Sequence, residues 1–401
     1  MAATILETLK ERGFIKQCTN EEGLSEALNE GPMTFYIGFD PTGDSLHVGH
    51  LLPIMCMSWL QKAGHKPIIL MGGGTALVGD PSGKDKTREM ITREQVESNL
   101  DGQRPLFGKI IDLDSAEMLN NADWLCGLKY IDFLRDIGRH FSVNKMIKAE
   151  GARQRLERDQ GYSFIEFNYH LLQSYDFLVL SKEKDCFLQV GGDDQWFHFC
   201  GGIELIRRET GKQAYAFTIP LLTTSDGKKM GKTEKGALWI DEKKVSAYDY
   251  YQYWVNVTDD DALKFLKLFT FLPMEEIEPY AAMKGAQMRE VKRRLAIEAT
   301  AVIHGAEAAK AADEAARAVF TGAVNENMPT HAAALPELFS TLLADAGLCK
   351  SRGEARRLIQ SGAVKVDYGD GKTPVQDTHG SLEKEAVLWS GKKKSVRIVE
   401  A

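Results

Sequence analysis

The 401-residue sequence lacks the features that mark exported or membrane-embedded chains. Its six cysteines include no C-x-x-C pair, which argues against a structural zinc site or a disulfide framework and favours reduced thiols. No run approaches the roughly 18 apolar residues of a membrane helix. The N-terminus, MAATILETLKERG, has no apolar stretch or cleavage site of a secretory signal. These absences predict a cytoplasmic protein.

An excess of basic residues is also missing, since the net charge is −7 with 27% charged and 43% hydrophobic residues. These proportions are typical of a globular protein, and the length suits two or three domains. A negative total does not exclude nucleic-acid binding, because binding depends on where basic residues cluster.

The first part of the chain alternates strand and helix patterns. MTFYIGF (33–39) and KPIILMGGG (66–74) read as buried strands, and VGHLLPIMCMSWLQKAG (48–64) between them reads as a helix. CFLQVGG (186–192) reads as another strand and DDQWFHFCGGIELIRRE (193–209) as a helix. Residues 1–240 are therefore predicted to be an α/β domain with a parallel sheet. Such sheets bind ligands at the carboxyl ends of their strands.

The rest of the chain predicts three further segments. Residues 241–325, rich in Ala, Glu, Lys and Leu, indicate an α-helical domain, and 326–335 indicate a linker. Residues 336–401 predict a small α+β module. This module holds 11 Lys and Arg against 9 Asp and Glu, so it is locally basic.

Two histidines three residues apart, in HVGH (47–50), allow three interpretations. They share a helix face, but a metal site needs a third ligand, and no other His or Cys is placed to supply one. Ordinary packing histidines are the second possibility. The third is an anion site, because a helix N-terminus favours negative charge and Gly49 lets a ring approach the backbone.

A second motif, KKMGKT (228–233), narrows the choice. Alone it fits a solvated turn. Together HVGH and KMGKT resemble the HIGH and KMSKS signatures of the class I aminoacyl-tRNA synthetases. The segments FYIGFDPTGDSLHVGH, GDPSGK, FNYHLLQSYDF and LQVGGDDQW extend the resemblance over essentially the whole chain, to the bacterial tyrosyl-tRNA synthetases.

The resemblance implies a fold, an activity and partners. The fold would be a Rossmann-like catalytic domain, an α-helical anticodon-side domain and an S4-like RNA-binding domain. The activity would be formation of tyrosyl-adenylate from L-tyrosine and ATP, with Mg²⁺ accompanying ATP, and transfer of tyrosine to the 3′ end of tRNA(Tyr). The implied assembly is a homodimer, with no tightly bound cofactor and no resident metal.

The resemblance also implies site residues. The substrate phenol would meet Tyr36 and Asp176, its ammonium group Asp80, Tyr169 and Gln173, and its carboxylate Gln195. Tyr169, Gln173 and Asp176 are spaced to share one helix face. The adenylate would lie against Gly38, Asp40 and Asp194. Groups that stabilise the phosphates in the transition state would be Thr42, His47, His50, Lys84, Arg88, Lys229, Lys232 and Thr233.

GDPSGK (79–84) lacks the spacing of a P-loop and by itself fits a charged surface loop. GGDDQ (191–195) by itself fits a helix cap. In the tail, a short basic helix carries the implied RNA contacts, Lys350, Arg352, Arg356 and Arg357, which by themselves fit a solvated face. Phosphate contacts of this kind supply affinity without sequence information.

Two alternative functions remain. One is a tryptophanyl-tRNA synthetase, whose pocket would not need Tyr36 and Asp176 aimed at a phenol. The other is an RNA-binding relative that has lost catalysis, which the intact motifs argue against. QWFHF (195–199) departs from the small-polar pair expected after Gln-Trp in the family, and we expect altered packing beneath the adenine site.

Overall fold

The computed structural model describes residues 4–82, 91–157, 163–223, 225, 232–233, 236–321, 329–369, 371–391 and 394–401. The chain forms two compact units. The first is Met1–Val245 with Val257–Val291, and the second is Ser246–Asn256 with Lys292–Ala401.

The strands and helices of the described residues alternate through the first half of the chain, as the sequence predicts. The strands are β1 (Gln17–Cys18), β2 (Thr34–Phe39), β3 (Lys66–Met71), β4 (Glu117–Asn120), β5 (Cys186–Gly192), β6 (Tyr215–Ile219), β7 (Lys232–Thr233), β8 (Gly236–Ala237), β9 (Thr330–Ala333), β10 (Glu337–Leu338), β11 (Val364–Asp367), β12 (Lys372–Pro374), β13 (Ser381–Leu382), β14 (Ala386–Ser390) and β15 (Lys394–Glu400). The helices are α1 (Ile5–Arg12), α2 (Glu21–Glu30), α3 (Val48–Lys62), α4 (Arg93–Phe107), α5 (Ala122–Leu125), α6 (Tyr130–Asp136), α7 (Val143–Met146), α8 (Glu150–Glu157), α9 (Phe164–Glu183), α10 (Trp196–Thr210), α11 (Ala247–Val255), α12 (Asp259–Leu268), α13 (Met274–Ile277), α14 (Met288–His304), α15 (Ala306–Thr321), α16 (Phe339–Asp345) and α17 (Arg352–Gln360).

The first unit is organised around a six-stranded sheet in the order β1-β6-β5-β2-β3-β4. The five neighbouring strands β6, β5, β2, β3 and β4 are parallel to one another. Strand β1, at the edge, pairs antiparallel with β6. The apolar runs of β2, β3 and β5 are almost entirely buried, as parallel strands covered on both faces require. The parallel α/β domain predicted from the sequence is confirmed.

The second unit contains a five-stranded sheet in the order β12-β11-β14-β15-β9. Helices α16 and α17 contribute to its core, through Leu342, Leu343, Ala355 and Ile359 packed on Val364, Leu388 and Ile398. The small α+β module predicted for the tail is therefore present. The predicted linker differs, because Thr330–Ala333 form β9 and pair in parallel with β15.

The boundaries of the two compact units differ from the domain ranges expected from the sequence. Those domain ranges stay predictions. Contacts within each unit explain the division. Helix α11 belongs with α15, since the Tyr251 hydroxyl donates to Asp313 at 2.8 Å. The end of α12 and the residues after it belong with α1, since the buried Arg12 guanidinium donates to the carbonyls of Lys267 and Thr270 at 2.9 and 3.2 Å.

All six cysteines are free thiols. Among the described residues, no helix combines the length and the apolar character needed to cross a bilayer. In the same residues, no three His, Cys, Asp or Glu side chains are grouped as metal ligands.

Candidate active site

Most of the site residues predicted in the α/β domain follow the carboxyl ends of three neighbouring strands or lie on α9. Strand β2 lies between β5 and β3, so the strand order reverses beside it. In open α/β sheets the crevice at such a reversal is the usual ligand site. Asp40 follows β2, Asp80 lies beyond β3, and Asp193–Gln195 form a turn of 3₁₀ helix after β5.

The HVGH segment forms the start of helix α3. His47 is the N-cap, and its Nδ1 accepts the backbone N–H of Gly49 at 3.0 Å. His50 Nδ1 accepts the backbone N–H of His47 at 3.2 Å, and the two rings stack at 4.0 Å. A Cβ at Gly49 would lie 2.8 Å from the His47 ring, so only glycine permits this approach.

These hydrogen bonds determine where the two imidazoles carry their protons. Because each Nδ1 accepts a hydrogen bond, the neutral tautomer of each ring has its proton on Nε2. Burial, with a smaller contribution from His47, lowers the pKa of His50 to about 3. His50 is therefore a neutral hydrogen-bond donor at physiological pH, and its contribution to an anion site is a directed N–H rather than a positive charge.

The backbone brings the second motif towards the first, although about 180 residues separate them in the sequence. The hairpin of β7 and β8 contains the end of KMGKT, and the chain leaving it runs beside HVGH. The N–H of Val48 donates to the Leu238 carbonyl at 2.9 Å, and the N–H of Ile240 donates to the Leu46 carbonyl at 3.0 Å. The Trp239 ring lies 6.1 Å from that of His47.

A buried carboxylate and a buried phenol lie at the bottom of the crevice. Asp176, on α9, and Tyr36, on β2, are 2% and 1% exposed. Asp176 accepts hydrogen bonds from Asn121 Nδ2 at 2.9 Å and Trp124 Nε1 at 2.7 Å. The Tyr36 hydroxyl has no hydrogen-bond partner in the described part of the chain. A buried hydroxyl in this state is available to a polar group of a ligand.

Burial affects the ionisation of both groups. It raises the pKa of Asp176 to about 7, although the bonds from Asn121 and Trp124 act in the opposite direction. It also raises the pKa of Tyr36, and the nearby charge of Asp176 adds to the shift. A strongly shifted carboxyl group in a crevice is the electrostatic signature of a functional site.

Asp40 and Tyr169 are brought together above this pair. Tyr169, on α9, donates its hydroxyl proton to Asp40 Oδ2 at 2.9 Å, and Thr75 donates to Oδ1 at 2.7 Å. Since Tyr169 uses its proton on Asp40, the phenolic oxygen keeps lone pairs that can accept from a cation. Burial and the charges of Asp40 and Asp80 raise the pKa of Tyr169, so it is a neutral phenol.

Asp80 and Gln195 form the next contact of the crevice. The Gln195 side-chain nitrogen donates to Asp80 Oδ2 at 2.9 Å, and the backbone N–H of Ser82 donates to Oδ1 at 2.8 Å. The two neighbouring aspartates after β5 differ. Asp193 accepts from Gln17 and Thr218, both at 2.7 Å, and so anchors the turn, whereas the side chain of Asp194 is exposed.

The remaining predicted residues are placed less closely. Gly38 is exposed on β2, and a Cβ there would meet nothing within 4 Å. Thr42 is exposed, and Gln173 is half-buried between Tyr169 and Asp176 on α9. Residues whose side chains lie outside the described part of the chain are Lys84, Arg88, Lys229, Lys232 and Thr233.

Sequence reasoning missed several residues that hold the predicted ones. Asn121 and Trp124 orient Asp176, and Thr75 orients Asp40. Gln189, on β5, lies opposite Tyr36 in the strand register, and its buried Oε1 has no partner in the described residues. The sequence feature that could have pointed to Gln189 is a polar glutamine inside the apolar run CFLQVGG. At QWFHF, the His198 side chain contacts Ser82 Oγ at 3.1 Å, and the effect on packing beneath an adenine site stays a prediction.

In the second unit, the predicted basic helix is α17. Ser351 caps it by accepting the backbone N–H of Glu354 at 3.2 Å. Its apolar residues Ala355 and Ile359 face the core. The side chains that the sequence assigns to RNA all lie on the exposed surface, namely Lys350, Arg352, Arg356 and Arg357.

Comparison with known proteins agrees with this geometry. Residues 28–321 match the family described as tRNA synthetases class I (W and Y), and residues 340–368 match the S4 domain. The chain therefore belongs to the class I tRNA synthetases of the W and Y family.

Within that family the chain falls among the tyrosine–tRNA ligases. It is 55% identical to the tyrosine–tRNA ligase of Acetivibrio thermocellus over 91% of each chain. It is 48% identical to tyrosine–tRNA ligase 1 of Clostridium acetobutylicum over 99% of each. Among solved structures, a C-terminally truncated mitochondrial tyrosyl-tRNA synthetase of Aspergillus nidulans has a TM-score of 0.71 at 30% identity, covering 80% of this chain and 95% of its own.

Proposed function

We propose that the crevice at the end of β2 is where this tyrosine–tRNA ligase binds L-tyrosine and ATP and forms tyrosyl-adenylate. The observation that carries the proposal is the buried pair of Asp176 and Tyr36. A carboxyl group and an unpartnered hydroxyl buried close together in the crevice match a phenolic hydroxyl. An indole has one N–H donor and no acceptor, so it could meet Asp176 but would leave the Tyr36 hydroxyl without an acceptor, which disfavours the tryptophanyl alternative.

The ammonium and carboxylate groups of the substrate tyrosine fit the polar side chains around Asp80 and Gln195. Asp80 and the Tyr169 oxygen would accept hydrogen bonds from the substrate ammonium, with Gln173 beside them on α9. The Gln195 amide, which uses one N–H on Asp80, has a second N–H for the substrate carboxylate. The carboxylate would thus be held with one oxygen directed towards ATP.

The reaction requires no protein nucleophile. A carboxylate oxygen of tyrosine attacks the α-phosphorus of ATP, which enters as its magnesium complex. The new C–O–P linkage forms as the bond to the β-phosphate bridging oxygen breaks, and pyrophosphate leaves with that electron pair. In the second step a terminal ribose hydroxyl of tRNA(Tyr) attacks the carbonyl carbon, and AMP leaves.

The phosphates would be held at the start of α3. The Nε2–H groups of His47 and His50, with the helix N-terminus, suit the charge that develops on the departing pyrophosphate. The adenosine would extend over Gly38, with Asp40 and Asp194 on its ribose side. The further groups proposed to stabilise the transition state are Thr42, Lys84, Arg88, Lys229, Lys232 and Thr233.

The tail would supply affinity for RNA. Arg352, Arg356 and Arg357 lie exposed on α17, and the exposed Lys350 lies just before its N-cap, rather than on the helix as the sequence predicted. Their positive charge suits phosphate contacts. In this proposal residues 1–240 perform catalysis, 241–325 lie on the anticodon side and 336–401 bind RNA. The free cysteines and the bacterial tyrosine–tRNA ligases similar to this chain support a cytoplasmic location.

A homodimer is proposed because one stretch of the first unit, from Tyr130 to Ile165, exposes large apolar side chains. Ile131, Phe164 and Tyr130 are 70%, 66% and 60% exposed, and Val143 and Leu156 are more than half exposed. Elsewhere in the described residues only three large apolar side chains are exposed, at 113, 221 and 368. Apolar surface concentrated in this way favours a protein interface, and a second copy of the chain is the occupant implied by the resemblance.

The dimer is tested with Ile131→Glu. Burying an unpaired carboxylate in the interface should shift the protein towards half its mass in light scattering at micromolar concentration. Leu113→Glu, which charges an exposed residue outside this stretch, should leave the mass unchanged. A monomeric parent protein, or equal behaviour of the two variants, would contradict the proposed interface.

Replacement of Asp176 tests the phenol site. Asp176→Ala should reduce the preference for tyrosine over phenylalanine in pyrophosphate exchange by roughly 10²-fold or more, because the phenol loses its buried acceptor. The expected parental preference is about 10⁵, for which enzymes of this family are themselves the reference case. Asp176→Asn keeps the side-chain volume and controls for folding. A folded variant that still rejects phenylalanine as the parent does would refute the assignment.

Replacement of His47 tests the phosphate site. Asparagine is a favoured N-cap, so His47→Asn should preserve the start of α3 while removing the Nε2–H donor. The rate of adenylate formation should fall by roughly 10²-fold, with tyrosine affinity nearly unchanged, because the lost contact is made mainly in the transition state. A comparable loss of tyrosine binding in a direct titration would show that His47 shapes the amino-acid pocket instead.

Deletion of the tail separates the two half-reactions. A chain ending at about residue 325 keeps every residue assigned to tyrosine and ATP and loses β9 with the rest of its sheet. Pyrophosphate exchange should stay close to intact, while charging of tRNA should be abolished or greatly weakened. In the full chain, added salt should reduce charging steeply and exchange little. Normal charging by the truncated protein would remove the RNA-binding role.

A further inference from the structure

Two buried histidines form a direct hydrogen bond beneath the crevice. His170, on α9, and His198, on α10, are each 6% exposed. Their Nδ1 atoms lie 3.0 Å apart. One of these nitrogens must donate and the other accept, so the bond requires that at least one Nδ1 is unprotonated.

The other nitrogen of His198 reaches the group proposed to bind the substrate ammonium. His198 Nε2 lies 3.1 Å from Ser82 Oγ and 4.0 Å from Asp80 Oδ1. The backbone N–H of Ser82 donates to that same Asp80 oxygen at 2.8 Å. His198 therefore supports the turn that presents Asp80, and it also lies within electrostatic reach of the carboxylate.

The charge of Asp80 determines how the protons are arranged along this chain of groups. A carboxylate beside Nε2 favours the tautomer with the proton on that nitrogen. His198 then donates from Nε2 towards Ser82 and Asp80. Its Nδ1 is left with a lone pair, which accepts the Nδ1–H of His170. The neutral pair thus directs hydrogen-bond donors towards Asp80.

Packing holds both rings in place. The His170 ring stacks on Phe197 at 4.2 Å and meets the edge of Phe141 at 5.2 Å. A Cβ at Gly201 would lie 2.3 Å from the His170 ring, so a glycine at that position in α10 is needed for the ring to fit. Rings confined in this way have little freedom to turn away from their hydrogen bonds.

We propose that His198, supported by His170, is a positioning residue that sets Asp80 for the α-ammonium of tyrosine while the imidazole pair is neutral. The proposal rests on the proposed function, in which Asp80 binds that ammonium group. Its consequence is that a proton on His198 opposes substrate binding. An imidazolium 4.0 Å from Asp80 would neutralise the carboxylate and repel the incoming cation.

The groups around His198 determine the direction of its pH response. Burial lowers the pKa of His198, and the charge of Asp80 acts against that shift. Burial and the neighbouring His198 lower the pKa of His170. From α9, His198 also faces the neutral phenol of Tyr169, with ring centroids 5.6 Å apart. The pair is therefore neutral at neutral pH, and protonation on the acid side of about pH 6.5 should weaken tyrosine binding.

Protons can reach the pair without passing through the amino-acid pocket. His170 lines a cavity of about 440 Å³ together with Phe141, Phe197 and the exposed Cys200. Bound tyrosine would cover Asp80, whereas this cavity is lined by His170 and not by His198 or Asp80. The protonation state of the pair can therefore equilibrate while substrate is bound.

The test compares two ligands that differ in the ammonium group. Binding of L-tyrosine and of 3-(4-hydroxyphenyl)propionate, which has the phenol and carboxylate alone, is titrated between about pH 7.5 and about pH 5. Asp176, whose pKa is about 7, faces the phenol of both ligands, so its titration affects both alike. For the parent protein, the Kd of tyrosine should therefore rise about tenfold more over this range than that of the propionate. His198→Asn can still donate to Ser82 but cannot titrate, so in this variant the two ligands should show the same pH dependence.

Two controls make the outcome specific. His140→Asn removes a histidine that pairs with Glu209 and does not contact Asp80, so this variant should keep the parental pH profile. His198→Leu should weaken tyrosine about tenfold at every pH, because Ser82 loses its partner. A parental profile in His198→Asn, or equal pH responses of the two ligands, would overturn the proposal.

Asp80→Asn distinguishes this proposal from the function on which it rests. If the variant binds tyrosine as the parent does, the assignment of Asp80 to the ammonium fails, and the proposed function of the pocket fails with it. If Asp80→Asn loses tyrosine selectively but His198→Asn keeps the parental pH profile, the role of His198 alone is wrong.

Discussion

Three carboxylates share one crevice, and the rest of the site is arranged around the cost of placing them there. Burial raises the pKa of Asp176, and the nearby charge of Asp40 adds to the shift. The charges of Asp40, Asp80 and Asp176 all act on the ionisation of Tyr169. Each carboxylate is therefore held by donors from other parts of the chain: side chains of Asn121 and Trp124, of Thr75 and Tyr169, and of Gln195, with the backbone of Ser82. In the proposed function, the ammonium group of the amino acid would relieve the remaining repulsion.

The end of the crevice proposed for the phosphates would bind negative charge without a buried positive charge. Each Nδ1 of His47 and His50 accepts a backbone N–H, and burial keeps His50 neutral. Neutral donors at a helix N-terminus need little desolvation, whereas buried imidazolium groups would be costly in the absence of ATP. The cationic residues assigned to this end come instead from sequence segments around 84–88 and 229–232. Preformed dipoles and separately supplied charge can then act together in the transition state.

Much of the architecture could be predicted from the sequence because its signals are local. Apolar runs predicted β2, β3 and β5, and HVGH predicted the start of α3. Placement of HVGH beside KMGKT depended on resemblance, because the backbone pairing of Leu46–Val48 with Leu238–Ile240 joins residues that no local pattern connects. For the same reason Asn121, Trp124 and Thr75 were missed. Each is an ordinary polar or aromatic residue in the sequence and gains its role only from a distant carboxylate. The sequence predicts a linker where β9 forms, because four residues, THAA, carry no alternation strong enough to predict pairing with β15.

The effect of QWFHF, which departs from the family pattern, depends on contacts that form only in the folded chain. In the sequence, the departure at QWFHF predicts altered packing beneath the adenine site. In the fold, α10 turns this side chain back under Asp80, and α9 supplies His170 to meet it. A small polar residue at 198 would hold Ser82 through a hydrogen bond alone. An imidazole holds the same turn and also brings a group whose charge depends on pH to within 4.0 Å of the carboxylate. The same substitution thus changes both the packing and the electrostatics of the site, and only the second change distinguishes a histidine from an asparagine.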